Sequence, residues 1–141
     1  MKKLLAIVVL GFLFSSIGNA KELVLKCKPS KSRFFDIKKN IWKTGKGSDE
    51  IYKLDYKKKK VYKMVTNRFL EVGSEYKWGK DSIHWENIFS FDDTKETGIF
   101  NRYTGELITN HIYGPESSTR RDDDISKLDM NFYCSKIDKK F

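Results

Sequence analysis

The chain has 141 residues, 33% of them charged and 14% aromatic, with a formal net charge of +9. That length fits one domain and excludes a large multidomain enzyme. Lys and Arg number 28 against 19 Asp and Glu, yet the 3 Trp, 7 Tyr and 10 Phe supply enough apolar bulk for a packed core, which argues against disorder.

Met1-Lys2-Lys3 precedes an apolar run from Leu4 to Phe14, and Gly18 and Ala20 stand at the −3 and −1 positions of a cut. A positive start, a short apolar stretch and small residues before the cut define a secretory signal peptide over residues 1–20. The run falls short of the roughly 20 residues that span a bilayer. Cys27 is too far past Ala20 for a lipoprotein site, and no second apolar stretch follows. The expected mature chain is a single β-rich domain, residues 21–141, without an integral membrane segment, exported to the periplasm or outside the cell. With Lys2 and Lys3 gone its net charge is +7.

Leu23, Leu25 and Cys27 share one parity against Glu22 and Lys26, the period-two pattern of a half-buried strand. Phe35-Asp36-Ile37, Lys38-Lys39-Asn40 and Ile41-Trp42-Lys43 read equally as a small hairpin or as a short helix, since Phe34, Ile37 and Ile41 keep i, i+3, i+7 spacing. Thr44 to Glu50 is a loop. Tyr52, Leu54 and Tyr56 alternate with Lys53 and Asp55. The run Lys57 to Lys60 follows as a solvated turn, and Val61 to Thr66 returns as a strand, because like charges facing each other across a ladder repel. Phe69, Leu70 and Val72 form a short stretch ended by Gly73, and Tyr76 and Trp78 share a face before Gly79. Ile83, Trp85, Phe89 and Phe91 share odd parity. Asp92 to Thr97 is polar and turn-like. Ile99 to Tyr103 and Leu107 to Tyr113 read as strands around a Thr104-Gly105 turn, and a polar loop then runs from Gly114 to Asp124. Met130, Phe132 and Cys134 share the last apolar parity.

The two mature cysteines sit near opposite ends, each on the more apolar face of its strand. In an oxidising compartment such a pair forms a disulfide. A bridge around so long a loop contributes about 4.7 kcal/mol in the chain-entropy model, and it joins the first and last segments. The expected fold is all-β: a small antiparallel barrel or strongly curled sheet of seven to ten short strands, closed by Cys27–Cys134.

The phrase Ile99-Phe100-Asn101-Arg102-Tyr103-Thr104-Gly105-Glu106-Leu107 resembles an (Asn/Asp)-Arg-x-Thr-Gly-x-Leu hairpin of small exported bacterial β-rich proteins of unknown function. An early Cys, a Lys-rich hairpin, the Trp-containing Ile83-His84-Trp85 and a late Cys extend the resemblance over most of the mature chain. It implies a β fold and no activity. The paired early and late cysteines are also similar to those of periplasmic C-type lysozyme inhibitors. The charge departs from that family, because a +7 chain is repelled by a cationic lysozyme, and no inhibitory residue is carried over.

Chemistry-bearing motifs are sparse. His84 and His111 lie in separate segments without a metal-binding motif, so no metal or cofactor is expected. Asp122-Asp123-Asp124 lacks the spaced ligands of a calcium loop and follows Arg120-Arg121, a self-neutralising arrangement. Glu86 with Asp92, or Asp81 with Glu86, offers a carboxylate pair of the kind glycosidases use, but the separation that decides it is not in the sequence. Thr44-Gly45-Lys46-Gly47-Ser48 lacks P-loop spacing.

The best contact surface is Lys57, Lys58, Lys59 and Lys60 with Tyr56 and Tyr62, a basic run flanked by aromatics. Arg102 is a further anion clamp or a brace for hairpin carbonyls. Lysine outnumbers arginine 23 to 5, which disfavours specific nucleic-acid recognition and is also what AT-rich coding produces. The leading expectation is a non-catalytic exported domain binding an anionic lipid, polymer or acidic protein. One alternative is a lipocalin-like carrier of a small apolar ligand, lined by Trp85, Phe89 and Phe91. The other is an envelope hydrolase or hydrolase inhibitor, the latter acting through the loop from Gly114 to Asp124.

Overall fold

A computed structural model describes residues 22–73, 75–90 and 92–137. The expected leader, residues 1–20, and Phe91 lie outside the described residues. The described chain forms strands β1 (Glu22–Asp36), β2 (Ile41–Thr44), β3 (Glu50–Asp55), β4 (Lys60–Val65), β5 (Arg68–Gly73), β6 (Glu75–Trp78), β7 (Ser82–Phe89), β8 (Thr94–Asn101) and β9 (Glu106–Ile112). A short helix, α1 (Ser118–Asp122), and β10 (Ile125–Lys136) complete it. No helix among the described residues is long and apolar enough to cross a membrane.

The strands make one antiparallel sheet in the order β5-β4-β3-β1-β10-β9-β8-β7-β6. β5 and β6 are neighbours in the chain, yet β5 pairs with β4 and β6 with β7. The backbone itself therefore links the two ends of the sheet, and Gly73 at that junction lies against the Trp85 side chain. The result is a nearly closed eight-stranded barrel, the architecture expected from the joined termini. Barrel closure leaves few free strand edges.

Turn chemistry explains the local connections. Asp36 and Asp55 each accept a backbone N–H three residues on, from Lys39 (3.0 Å) and Lys58 (2.8 Å). Asn101 accepts from Tyr103 (2.9 Å) and Thr104 (3.0 Å). Each four-residue loop ends in the left-handed region, at Asn40 (φ 54°), Lys59 (φ 53°) and Gly105 (φ 73°). Asp and Asn favour such turns because their short side chains mimic a backbone acceptor. One turn design thus serves three hairpins, and residues 32–43 form a hairpin, not a helix, because β1 pairs β2 through Asp36 and Ile41. A two-residue turn at Thr66-Asn67, both with positive φ, joins β4 to β5.

β1 is long because it changes partners. Its first half pairs β3 from Glu22 to Cys27, and its second half pairs β2 from Arg33 to Asp36. The bulge between Pro29 and Lys31 separates the halves and switches the buried parity from Leu23, Leu25 and Cys27 to Ser32 and Asp36. From Leu25 to Asp36 β10 runs antiparallel to it, with Cys27 directly opposite Cys134. These two cysteines form the disulfide, with Cα atoms 3.9 Å apart.

The core draws on seven of the eight barrel strands and on the β5 half of the eighth: Leu23 and Leu25, Tyr52 and Leu54, Val61, Val72, Ile83 and Trp85, Phe100, Leu107, Met130 and Phe132. Burial of these side chains supplies the main drive to fold, at about 25 cal/mol for each Å² of apolar surface removed from water. Two segments differ from expectation. Residues 94–97 belong to strand β8, paired with β7 and β9, because Thr94 and Glu96 continue the inward parity of Phe100 across Gly98. The polar loop from Gly114 to Asp124 contains α1, and Ser117 just before it is buried.

Candidate functional site

The antiparallel order gives the barrel two chemically different ends. At one end lie the β3–β4 turn, the β8–β9 turn and the approach to β7. Lys57, Lys58 and Lys59 are all exposed there, and among the described residues none of the three forms an ion pair. Lys60 opens β4, and its Nζ is 2.7 Å from the Glu71 carboxylate. That hydrogen bond raises the Lys60 pKa and takes its charge out of the exposed group.

Arg102 joins this end. Its backbone N–H donates to Asp81 O at 2.9 Å, and its guanidinium reaches Lys80 O at 3.5 Å. The charge sits close enough to Tyr56 to oppose the upward pull of burial on that phenol. Arg102 thus braces hairpin carbonyls beside the lysine turn. Tyr56 and Tyr62 do not flank the turn together. Tyr56 packs against the core, whereas Tyr62 faces outward under the Lys53 ammonium, 4.7 Å from its ring centroid.

The other end carries a polar cluster inside the barrel. Glu50 opens β3, and Tyr52 follows it. Lys63 donates to Glu50 Oε1 at 2.7 Å and the Tyr52 hydroxyl donates to Oε2 at 2.6 Å. Facing them are Trp85 of β7, Glu96 of β8, and Thr109 and His111 of β9. Glu96 is 3% exposed and Thr109 fully buried. Glu96 Oε1, Thr109 Oγ1 and the Trp85 indole N–H make no hydrogen bond of normal geometry among the described residues, although the indole N–H is near enough to the Glu96 carboxylate to favour its ionised form. His111 Nδ1 is 3.7 Å from Glu96 Oε2, beyond hydrogen-bond range, and its ring stacks on Tyr113 at 6.1 Å.

Burial controls the protonation of this cluster. It pushes the Glu96 pKa up to about 7, with Glu50 adding to the rise and Lys63 and the Trp85 indole N–H opposing it. It pushes His111 down to about 4, with Lys63 acting in the same direction. Tyr52 is raised well above its ordinary value by burial and by the two carboxylates. These are the desolvation and charge–charge effects expected where several titratable groups share a low-dielectric interior.

Trp85 is inside the barrel, and a Cβ on Gly98 would overlap its indole ring. Only glycine allows that ring to lie flat on β8. Tyr52 and Trp85 have ring centroids 6.0 Å apart, so aromatic rings occupy much of the space a large apolar ligand would need. Phe89 ends β7 half-buried. Glu86 lies 2.9 Å from Lys95, and Asp92 accepts the Thr94 N–H at 3.0 Å within its turn. Both carboxylates thus have local partners. His84 bonds Ser82 at 2.8 Å on the outer face, remote in sheet position from inward-facing His111. Among the described residues no group of three or more His, Cys, Asp or Glu is arranged to hold a metal.

Sequence inspection singled out the exposed lysines and missed Glu50, Tyr52, Lys63, Glu96 and Thr109 as a group. A usable signal exists for one of them. Phe100 marks the inward parity of its strand, and stepping back by twos reaches Gly98 and Glu96. No protein-family model, curated protein or solved structure matches the chain.

Proposed function

We propose that the protein is exported after removal of residues 1–20 and binds an anionic surface or polymer of the cell envelope. The observation that carries this reading is the grouping of Lys57, Lys58 and Lys59 on one projecting turn, exposed and without carboxylate partners among the described residues. Arg102 stands at the same barrel end. A nearly closed barrel whose first and last strands are joined by a disulfide supports that turn, which lowers the entropic cost of presenting three charges.

The interaction is electrostatic and non-catalytic. Each lysine near an anionic lipid surface contributes about 1 kcal/mol, so the triple substitution Lys57→Gln, Lys58→Gln, Lys59→Gln weakens binding by about a hundredfold. The test is co-sedimentation of the mature protein with phosphatidylglycerol vesicles, with phosphatidylcholine vesicles as control and polyglutamate as a soluble competitor. Binding to the anionic vesicles that falls steeply with salt and with the triple substitution supports the reading. Binding indifferent to both, or none at low salt to vesicles or polyglutamate, overturns it.

A further inference from the structure

We propose that the polar end of the barrel interior is a binding site for a small organic cation, a primary ammonium or guanidinium group, held by the Glu96 carboxylate and the Thr109 hydroxyl. This site is separate from the basic turn, at the other end of the barrel, and does not depend on the envelope-binding reading.

Three observations converge on it. First, Glu96 Oε1 and Thr109 Oγ1 are adjacent-strand acceptors, buried and without a hydrogen bond of normal geometry among the described residues; the nearby Trp85 indole N–H favours the ionised Glu96 but carries no charge to balance it. Buried polar atoms without partners are rare in folded proteins and need a reason. Second, once Glu96 is ionised the charge count is one cation short. Two carboxylates, Glu50 and Glu96, face one ammonium, Lys63, and Lys63 is committed to Glu50 at 2.7 Å. His111, the remaining basic group, is held neutral by burial and by Lys63. An ionised carboxylate in such a place requires a positive partner. Third, the cluster is walled by aromatic rings. Tyr52, Trp85 and the stacked His111–Tyr113 pair lie around the two carboxylates, and aromatic rings attract desolvated cations.

Packing sets the size class. Tyr52 and Trp85 are in ring contact, with centroids 6.0 Å apart, and fill that part of the barrel, so the site takes only a small ammonium or guanidinium head beside them and excludes a bulky ligand. Entry is past Glu50, Lys63, His111 and Tyr113, all of which are half-buried while Glu96 is not. The groups that face Glu96 are Glu50 and Tyr52 from β3, Lys63 from β4, Trp85 from β7, His111 from β9 and Tyr113 just beyond it. A proton is the simplest occupant of the carboxyl. A cation that binds must displace it, so binding is coupled to proton release.

The experiment uses the oxidised mature protein, with the Trp85 indole N–H and the His111 ring followed by NMR. Methylammonium chloride and guanidinium chloride are added at millimolar concentrations, with sodium chloride and tetramethylammonium chloride as ionic-strength controls. The expected result is a saturable shift for the first two salts only. The apparent affinity falls about tenfold for each pH unit below the Glu96 pKa, and calorimetry in two buffers of different ionisation enthalpy shows proton release. Glu96→Gln removes the saturable shift while leaving the other resonances dispersed, and Thr109→Val weakens it several-fold. Should Glu96→Gln fail to fold, Thr109→Val and the pH dependence still decide the matter. Shifts that are linear in salt, equal for sodium, or independent of pH overturn the proposal. So does a Trp85 resonance that moves with pH but with neither cation, which would make the cluster a proton site alone.

Discussion

Glu96 and His111 make opposite demands on the folded state, and their opposition predicts a hidden pH dependence. Burial raises Glu96 from 4.5 to about 7. The stability linked to its neutral form is fully present below pH 4.5 and is lost as pH rises through about 7. At about 1.4 kcal/mol per pH unit, that loss is about 3 kcal/mol. His111 is lowered from 6.5 to about 4. The stability linked to its neutral form is present above pH 6.5 and is lost as pH falls through about 4, again by about 3 kcal/mol. Between pH 4.5 and 6.5 the two slopes are equal and opposite, so the wild type shows little net slope from this pair. Glu96→Gln removes one arm. Relative to wild type its stability climbs by about 3 kcal/mol from pH 4.5 to 7, on the order of 10 °C in Tm for a domain this size. His111→Gln does the reverse, its relative stability falling between pH 4 and 6.5. Urea unfolding at half-unit steps from pH 4 to 8 measures both, and subtracting the wild-type curve cancels the surface carboxylates. A Glu96→Gln difference curve flat to within 1 kcal/mol would refute the burial argument. The double variant reports the coupling across the 3.7 Å gap.

Two further outcomes follow from the packing. Gly98→Ala drives a methyl into the Trp85 ring and costs about 1–3 kcal/mol of overpacking strain, measured by urea denaturation; a neutral result would mean that the indole does not lie on β8. Replacing Cys27 and Cys134 by Ser unlinks β1 from β10 at the pair that closes a 107-residue separation. It costs about 2–5 kcal/mol, and thermal melts of the oxidised wild type against the double variant check it, with equal Tm values refuting a stabilising role.

Much of the framework is written in local pattern. Period-two burial at Leu23, Leu25 and Cys27 and at Met130 and Phe132, with polar turns between strands, is enough to specify an antiparallel all-β chain with its cysteines facing inward. The lysine turn is largely legible, since successive charges after an Asp acceptor favour a solvated loop; Lys57, Lys58 and Lys59 are in it, whereas Lys60 opens β4 opposite Asp55. Asp36, Asp55 and Asn101 repeat one turn chemistry that depends on no distant contact. The interior cluster is different. Glu50, Lys63, Glu96, Thr109 and His111 come from four strands, and each is a polar residue at an inward position, several of them beside an apolar outward one such as Tyr62, Met64 or Ile108, which inverts the expected alternation. Thr94 to Thr97 has no apolar residue to reveal which side faces in, and so resembles a turn. Only the register of β8 against β7 and β9, together with closure through β5 and β6, turns Glu96 toward Lys63 and Glu50. A shift of one residue in that register would place its carboxylate in water, with an ordinary pKa and no partner to seek.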